Sequence, residues 1–312
     1  MRTTRSGYGF ILADGTRWFL TSGPELRSWL EQFAGILQLK PARLPSALHL
    51  QFSGLDQRGS TQSESIDPSL EPNAVSADIG RHWSSCYSDY SLRMWNSKNS
   101  HEFLCAFPNA EAGQPDFAIE HMARSLRGIY LQSITTGGLP FHAALAEFGG
   151  RGVLFAAAGR TGKSTCSQRL PPPWTSWCDD EALVVRHPQQ GYRVHPFPTW
   201  SDHLCRDLNT TWPAEHHVAL SAIFFLEQAP DNALVPLGSG AAAARICEAA
   251  RQVLLFQWRG MPPEKRAQSA TQVLNNACAL ANTVPAYRLR FSLEGRFWEQ
   301  VETALEMTED QV

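Results

Sequence analysis

Three short stretches of this chain carry side chains able to do chemistry together. The first is Gly152–Arg169, GVLFAAAGRTGKSTCSQR. Val153–Ala156 is an apolar run of the length of a buried strand. Small residues and a glycine follow, and Gly162-Lys163-Ser164-Thr165 opens a segment that can start a helix. A strand, a small-residue loop and a helix, with Gly-Lys-Ser at the junction, make a phosphate-binding loop. Backbone N–H groups at the helix start point at the anion, and the helix dipole adds partial positive charge. The Lys163 ammonium can reach the β- and γ-phosphates, and the Ser164 hydroxyl can ligate Mg²⁺. Gly159, Arg160, Thr161, Gly162, Lys163, Ser164 and Thr165 are therefore the candidate nucleotide contacts. ATP and Mg²⁺ are the cofactors they imply. One position departs from G-x-x-x-x-G-K-[ST]: the first glycine is replaced by Ala157. A positive φ required there would be strained.

The second stretch is Asp179-Asp180, near the expected end of the next strand. Phosphoryl transfer needs a metal holder and a group that orients the attacking oxygen. Two adjacent carboxylates at a strand end, where the backbone is freed from strict alternation, can supply both. One takes a proton from an incoming hydroxyl and the other faces Mg²⁺. Glu181 is a weaker third member. The third stretch is Pro140–Ala146, which leads into a strand ahead of the loop and carries His142. A lone histidine is more often structural than catalytic. His195, His203, His216 and His217 have no carboxylate or cysteine at ligand spacing in the sequence.

Composition limits the setting for these groups. The chain has 312 residues, enough for one large domain or two ordinary ones, and 43% apolar residues allow a sizeable core. A net charge of −3 gives no basic excess for nucleic acid. Seven cysteines, an odd number with no Cys-x-x-Cys pair, argue against a disulfide framework or a zinc site. The start, MRTTRSGYGF, lacks an apolar signal core, and no run approaches a membrane span. A soluble cytoplasmic protein is the expectation. Ten tryptophans fit an aromatic-rich core or an interface.

The elements that must position the chemistry follow from periodicity. Tyr8–Ala13 and Arg17–Thr21 flank Asp14-Gly15, a hairpin signal. A helix is expected from about Pro24 to Leu39, with Leu26, Trp29, Leu30, Phe33 and Leu37 on one face and Ser22 as cap. Ala47–Phe52, Trp83–Tyr87, Ser91–Trp95 and Glu102–Phe107 read as strands, and Ser53–Gly80 as a long mobile loop. Residues 1–110 are therefore expected to form a small α+β domain with an antiparallel sheet, whose aromatic residues fit core packing better than the docking of a partner. Residues 111–312 form the second domain. Asp116–Thr136 is read as one helix burying Met122, Leu126, Ile129, Tyr130 and Ile134, ended by Gly137-Gly138. Strands follow at Ala182–Arg186, Gly191–Pro196, Ala219–Leu226 and Ala286–Phe291. Pro198–Asn209 is irregular or a short helix. Helices are expected at Ala241–Trp258, at Pro262–Asn282 with Ala270, Val273, Leu274, Ala277 and Cys278 inward, and at Glu294–Leu305.

Phe141-His142-Ala143-Ala144, the loop Gly159–Thr165 and Cys178-Asp179-Asp180, in this order and spacing, resemble the catalytic domain of HPr kinase/phosphorylase. The likeness covers about residues 120–200. It implies an α/β, phosphate-loop core shared with phosphoenolpyruvate carboxykinases. Lys163 and Ser164 would bind ATP phosphates and Mg²⁺, and His142 would pair with an acidic residue. Asp179 would be the base, with Asp180 assisting or holding metal. The Glu-x-Arg-Gly-x-Gly segment of the bifunctional enzyme is absent, so HPr is not implied as the substrate. The chain is more similar to the divergent HPr-kinase-like proteins found beside peptide-modification genes, among them lasso-peptide serine kinases and the SynChlorMet cassette protein ScmC. The expectation is an ATP/Mg²⁺-dependent serine/threonine kinase. Its partner would be a peptide or small-protein acceptor rather than nucleic acid or membrane, and homo-oligomers are common among such relatives. The alternative is a nucleotide-binding scaffold or peptide-recognition protein without phosphotransfer.

Overall fold

The computed structural model describes residues 7–42, 47–55, 83–88, 92–97, 101–108, 115–159, 161–205 and 210–309. The fold is mixed α/β, with two mixed sheets and helices. The chain forms two compact units. One comprises Met1–Leu131, Trp200–Glu215 and Phe256–Ala267, and the other Gln132–Thr199, His216–Leu255 and Gln268–Val312. Among the described residues no helix is long and apolar enough to cross a membrane.

The first unit contains strands β1 (Gly7–Ile11), β2 (Arg17–Ser22), β3 (Lys40–Ala42), β4 (Leu48–Leu55), β5 (Trp83–Ser88), β6 (Arg93–Ser97) and β7 (Glu102–Pro108), in sheet order β3-β1-β2-β4-β7-β6-β5. The β1–β2 hairpin turns where Asp14-Gly15 predicts: Gly15 has φ 86°, and the Asp14 carboxylate accepts the Thr16 N–H at 2.9 Å. The sheet is not antiparallel throughout, because β2–β4 and β4–β7 run parallel. The helix Arg27–Ile36 lies between β2 and β4 and returns the chain to the same end, as a parallel pair requires. A 3-10 turn, Pro24–Leu26, precedes this helix, and no side chain caps it. Ser22 is instead the last residue of β2, opposite Phe52. The expected apolar face is buried, and the Trp29 ring packs 4.9 Å from Phe52 and 5.1 Å from Phe107. Of the loop expected at Ser53–Gly80, residues 53–55 belong to β4 and the rest lie outside the described residues.

The single helix expected at Asp116–Thr136 is two, Pro115–Ser125 and Arg127–Thr135. The Ser125 hydroxyl donates to the His121 carbonyl at 2.7 Å, a back-bond to i−4 that bends helices. Its five predicted apolar positions are all buried. Gly137, at φ 91°, and the Gly138 N–H bond to Ser133 O end the second helix.

The second unit holds β8 (Leu139–Phe148), β9 (Arg151–Ala156), β10 (Thr175–Cys178), β11 (Glu181–His187), β12 (Gly191–Phe197), β13 (Val218–Gln228), β14 (Ala233–Pro236) and β15 (Ala286–Phe291). β13 lies between β9 and β15, parallel to both. β8 is antiparallel to β9 along Ala143–Phe148 and to β11 along Leu139–His142. With β11–β12 and β12–β13, the pairings close a ring through β8 and β9. The core beside β9 contains Phe155, Phe224, Leu289, Phe297 and Val301. In the helix Pro263–Ala281 the buried stripe is Val273, Asn276, Ala277 and Leu280. Leu274 and Cys278, expected inward, are exposed because each lies one position round from that stripe.

Candidate functional site

β9 delivers the loop. Its neighbours on both edges are strands, so the run Val153–Ala156 is buried, and the chain leaves the sheet at Ala157. The helix Lys163–Gln168 begins six residues later, with Gly162 as its N-cap at φ 101°. A Cβ on Gly162 would meet the Phe291 ring at 3.1 Å, so backbone and packing both demand glycine. Ala157 does not carry the strain its departure from the consensus suggests. Gln38 is the one non-glycine residue with positive φ among the described residues. Gly159 has open space around it, and Thr161 O accepts from Gln228 Nε2 at 3.4 Å. Ser164 is exposed and Thr165 half-buried on the first helical turn. Arg160 lies outside the described residues.

Lys163 is buried. Its Nζ donates to Ala157 O at 3.2 Å and lies 2.7 Å from His142 Nε2. Burial pushes the lysine below its ordinary pKa, and the charges of Asp180 and Asp179 offset part of that. On β8, His142 turns its other nitrogen to Asp180: Nδ1 to Oδ1 is 3.1 Å. With Nε2 facing an ammonium, the consistent tautomer carries its proton on Nδ1 and donates it to Asp180. Burial would raise the Asp180 pKa. The His142 hydrogen bond and the electrostatic pull of His142 and Lys163 outweigh burial and hold the carboxyl below its usual range. Lys163, His142 and Asp180 thus form one continuous hydrogen-bonded chain.

The ladder explains why both aspartates meet these partners. β10 and β11 run in succession along β8, with Cys178 opposite Leu145 and Glu181 opposite His142. The Ala143 N–H donates to Asp180 O at 3.0 Å, bridging the two strands. Trp177 is the extra residue of a bulge between Ser176 and Cys178. Asp179 and Asp180 form a bend, and their side chains go to different partners. Asp180 meets His142, whereas Asp179 Oδ1 accepts the Thr199 hydroxyl at 3.0 Å. Glu181 starts β11, and its carbonyl accepts the Cys178 thiol at 2.9 Å. Burial pushes that thiol up to about 12.

Sequence reasoning missed Thr199. Its signal lies in the β11–β12 register, Glu181 opposite Phe197, which places residue 199 opposite 179 when continued. His195, His203, His216 and His217 have other neighbours. His195 is fully buried, with its ring 5.3 Å from His217. Burial first, then Arg193 and the neighbouring histidines, lowers the pKa of His217. His203 packs against Trp212 at 5.4 Å. A carboxylate does lie beside His216: Glu147 Oε2 is 3.8 Å from its Nε2, and Glu147 also accepts the Trp177 indole N–H at 2.8 Å. Glu147 comes from β8, so spacing along the sequence could not reveal it.

Among the described residues, no group of three or more His, Cys, Asp or Glu is placed to hold a metal. Mg²⁺ in phosphoryl transfer needs only one or two protein oxygens beside phosphate and water. The Ser164 hydroxyl and an aspartate carboxylate are oxygen donors of the chemical kind such an ion takes.

Fold and site together define a mixed α/β protein in which β9, parallel to β13 and antiparallel to β8, ends in a glycine-lysine-serine loop, with a histidine–aspartate pair on the loop lysine. The family model of SynChlorMet cassette protein ScmC matches residues 103–306, and the chain belongs to that family. The match contains every residue of the site. No curated protein matches the chain.

Proposed function

We propose that this protein is an ATP- and Mg²⁺-dependent kinase with an HPr-kinase-like core, which phosphorylates a Ser or Thr hydroxyl of a peptide or small protein. Membership of a cassette family supports a place in peptide modification. The observation that carries the reading is the division of labour between adjacent carboxylates: Asp180 is tied through His142 to Lys163, while Asp179 is held separately by Thr199. In the reaction the acceptor oxygen attacks the γ-phosphorus. Its proton passes to Asp179, the new P–O bond forms, and the bond to the leaving ADP oxygen breaks. Lys163 and the loop N–H groups hold the phosphates. Ser164 and Asp180 would hold Mg²⁺, which when bound neutralises charge on the phosphate oxygens. His142 sets the direction of both the lysine and Asp180.

The test is transfer of radiolabelled γ-phosphate to Ser/Thr peptides by wild type and by Asp179→Asn. A loss of about 10²- to 10⁴-fold in the variant is expected for a general base. Equal transfer by the two proteins removes Asp179 from that role.

A second reading, nucleotide binding without transfer, draws on one observation. Lys163 Nζ is held by two groups of the chain itself, Ala157 O and His142. Calorimetry separates the two: tight ATP binding without turnover on any peptide favours the scaffold.

A further inference from the structure

Thr199 has no place in the phosphate loop, the histidine chain or the carboxylate pair, yet it is 2% exposed and bonded to one of the carboxylates. The β11–β12 hairpin pairs Glu181 with Phe197, Ala182 with Pro196 and Leu183 with His195. Two steps further in the same register bring residue 199 opposite residue 179. The hydrogen bond joins the two chain ends just beyond the last pair of the hairpin, Glu181 with Phe197. Pro198 fixes its own φ directly before Thr199. Thr199 is β-branched, which leaves few χ1 choices for its hydroxyl. Its one O–H donates to Asp179 Oδ1 at 3.0 Å.

We infer that Thr199 is a positioning residue that clamps Oδ1 of Asp179 and so presents Oδ2 to the acceptor hydroxyl. The inference rests on the kinase reading for its catalytic consequence, but not for the clamp itself. Its chemistry is balanced across the step. Before transfer the hydroxyl donates to a carboxylate oxygen. After Oδ2 has taken the acceptor proton, Oδ1 is the carbonyl oxygen of a carboxylic acid and still accepts. The hydrogen bond persists and no reorganisation is required at the moment of reaction. Asp180 is turned to a different partner, with its own Oδ1 facing His142.

The experiment uses the full chain with Thr199→Val, which keeps the shape and removes the donor, and Thr199→Ser, which keeps the donor. Each is assayed with radiolabelled ATP, Mg²⁺ and a library of synthetic Ser/Thr peptides, and each is crystallised. For Thr199→Val, kcat should fall about 10- to 100-fold with KM for ATP within about twofold, the scale of a misplaced reacting group. Thr199→Ser should recover most of the rate. Adding Thr199→Val to Asp179→Asn should cost little more than Asp179→Asn alone. In the Thr199→Val crystals the Asp179 carboxylate should leave its position, and in Thr199→Ser it should keep it. A wild-type kcat in Thr199→Val, or an unmoved Asp179 carboxylate in its crystals, overturns the proposal. Should wild type transfer phosphate to no peptide, the kinase reading fails, and the Asp179 position in the Thr199→Val crystals still decides the clamp.

Discussion

Lys163 is an ammonium in a poor place for charge, and its neighbours compensate. It is buried and sits against a carbonyl and an imidazole, with the carboxylates beyond. On the proposed kinase reading, replacing it by alanine removes the cation that would meet the phosphates. Transfer should fall by about 10²- to 10³-fold, the usual loss for one electrostatic donor, as read in the same radiolabel assay. The Asp180 end of the chain has a signature in stability. Its folded pKa lies below its ordinary value, so the unfolded chain binds more protons between the two. The stabilisation is therefore complete above the ordinary carboxylate range and is lost as pH falls through the folded pKa. For Asp180→Asn, the urea midpoint should decline less steeply than wild type between about pH 5 and pH 2, a window in which paired carboxylates are lost. Parallel declines would mean that His142 does not stabilise the charged carboxylate.

At the scale of elements, the second unit depends on places where one strand or helix end meets another closely. Asn276 is buried on the helix Pro263–Ala281, and its Nδ2 donates to Ile134 O at 2.8 Å and Gly138 O at 2.9 Å. It thereby satisfies carbonyls at the end of the helix Arg127–Thr135 and the start of β8. Asn276→Ala leaves both without that donor, and the unfolding free energy should drop by about 1–3 kcal/mol, measured by urea titration. Gly152 makes a similar demand at the start of β9: a Cβ there would lie 2.4 Å from a Val218 methyl and 3.0 Å from Ala219 O. Such elements differ in how well they can be read from residues alone. The β9 run, the glycine at 162 and the helical stripes are local, and periodicity or turn chemistry exposes them. Asp179 and Asp180 stood out because their types and position carry chemistry, and His142 through the family resemblance. Thr199 and Glu147 did not, because each reaches its partner through strand pairing between distant residues. The bulge at Trp177 and the parallel β2–β4–β7 pairing are also long-range choices, which no window of a few residues contains. The break near Ser125 was hidden for a different reason. Its apolar period continues unbroken through two helices, and the side-chain bond to His121 O lies at the joint.

At the scale of the whole molecule, the two units are interleaved along the chain. The first includes Trp200–Glu215 and Phe256–Ala267, which lie in sequence inside the second. Within the first unit these inserted segments have definite partners. The N–H groups of Trp212 and Ala214 bond Ile36 O and Leu37 O, satisfying carbonyls that the helix Arg27–Ile36 leaves open. The Trp200 ring packs 6.4 Å from Phe33, and Lys265 Nζ donates to Ser84 Oγ at 2.9 Å. A fragment of residues 132–312 keeps every strand of the second sheet but carries both segments without these partners. Trp200 and Trp212, now 7% and 3% exposed, lose much of their cover. The fragment should therefore show red-shifted tryptophan emission, bind a hydrophobic dye, and melt well below the full chain. The family match from residue 103 to 306 spans both segments. Nucleotide offers the complementary measurement. ATP with Mg²⁺ at about 100 times its dissociation constant should stabilise the full chain by about 2.7 kcal/mol. Lys163→Ala should abolish that gain at the same ATP concentration. A fragment that melts cooperatively at the full chain's temperature, with native-like emission, would show that the second unit does not need the partners of the inserted segments in residues 1–131. A melting temperature of the full chain that ignores ATP would show that the loop does not bind it.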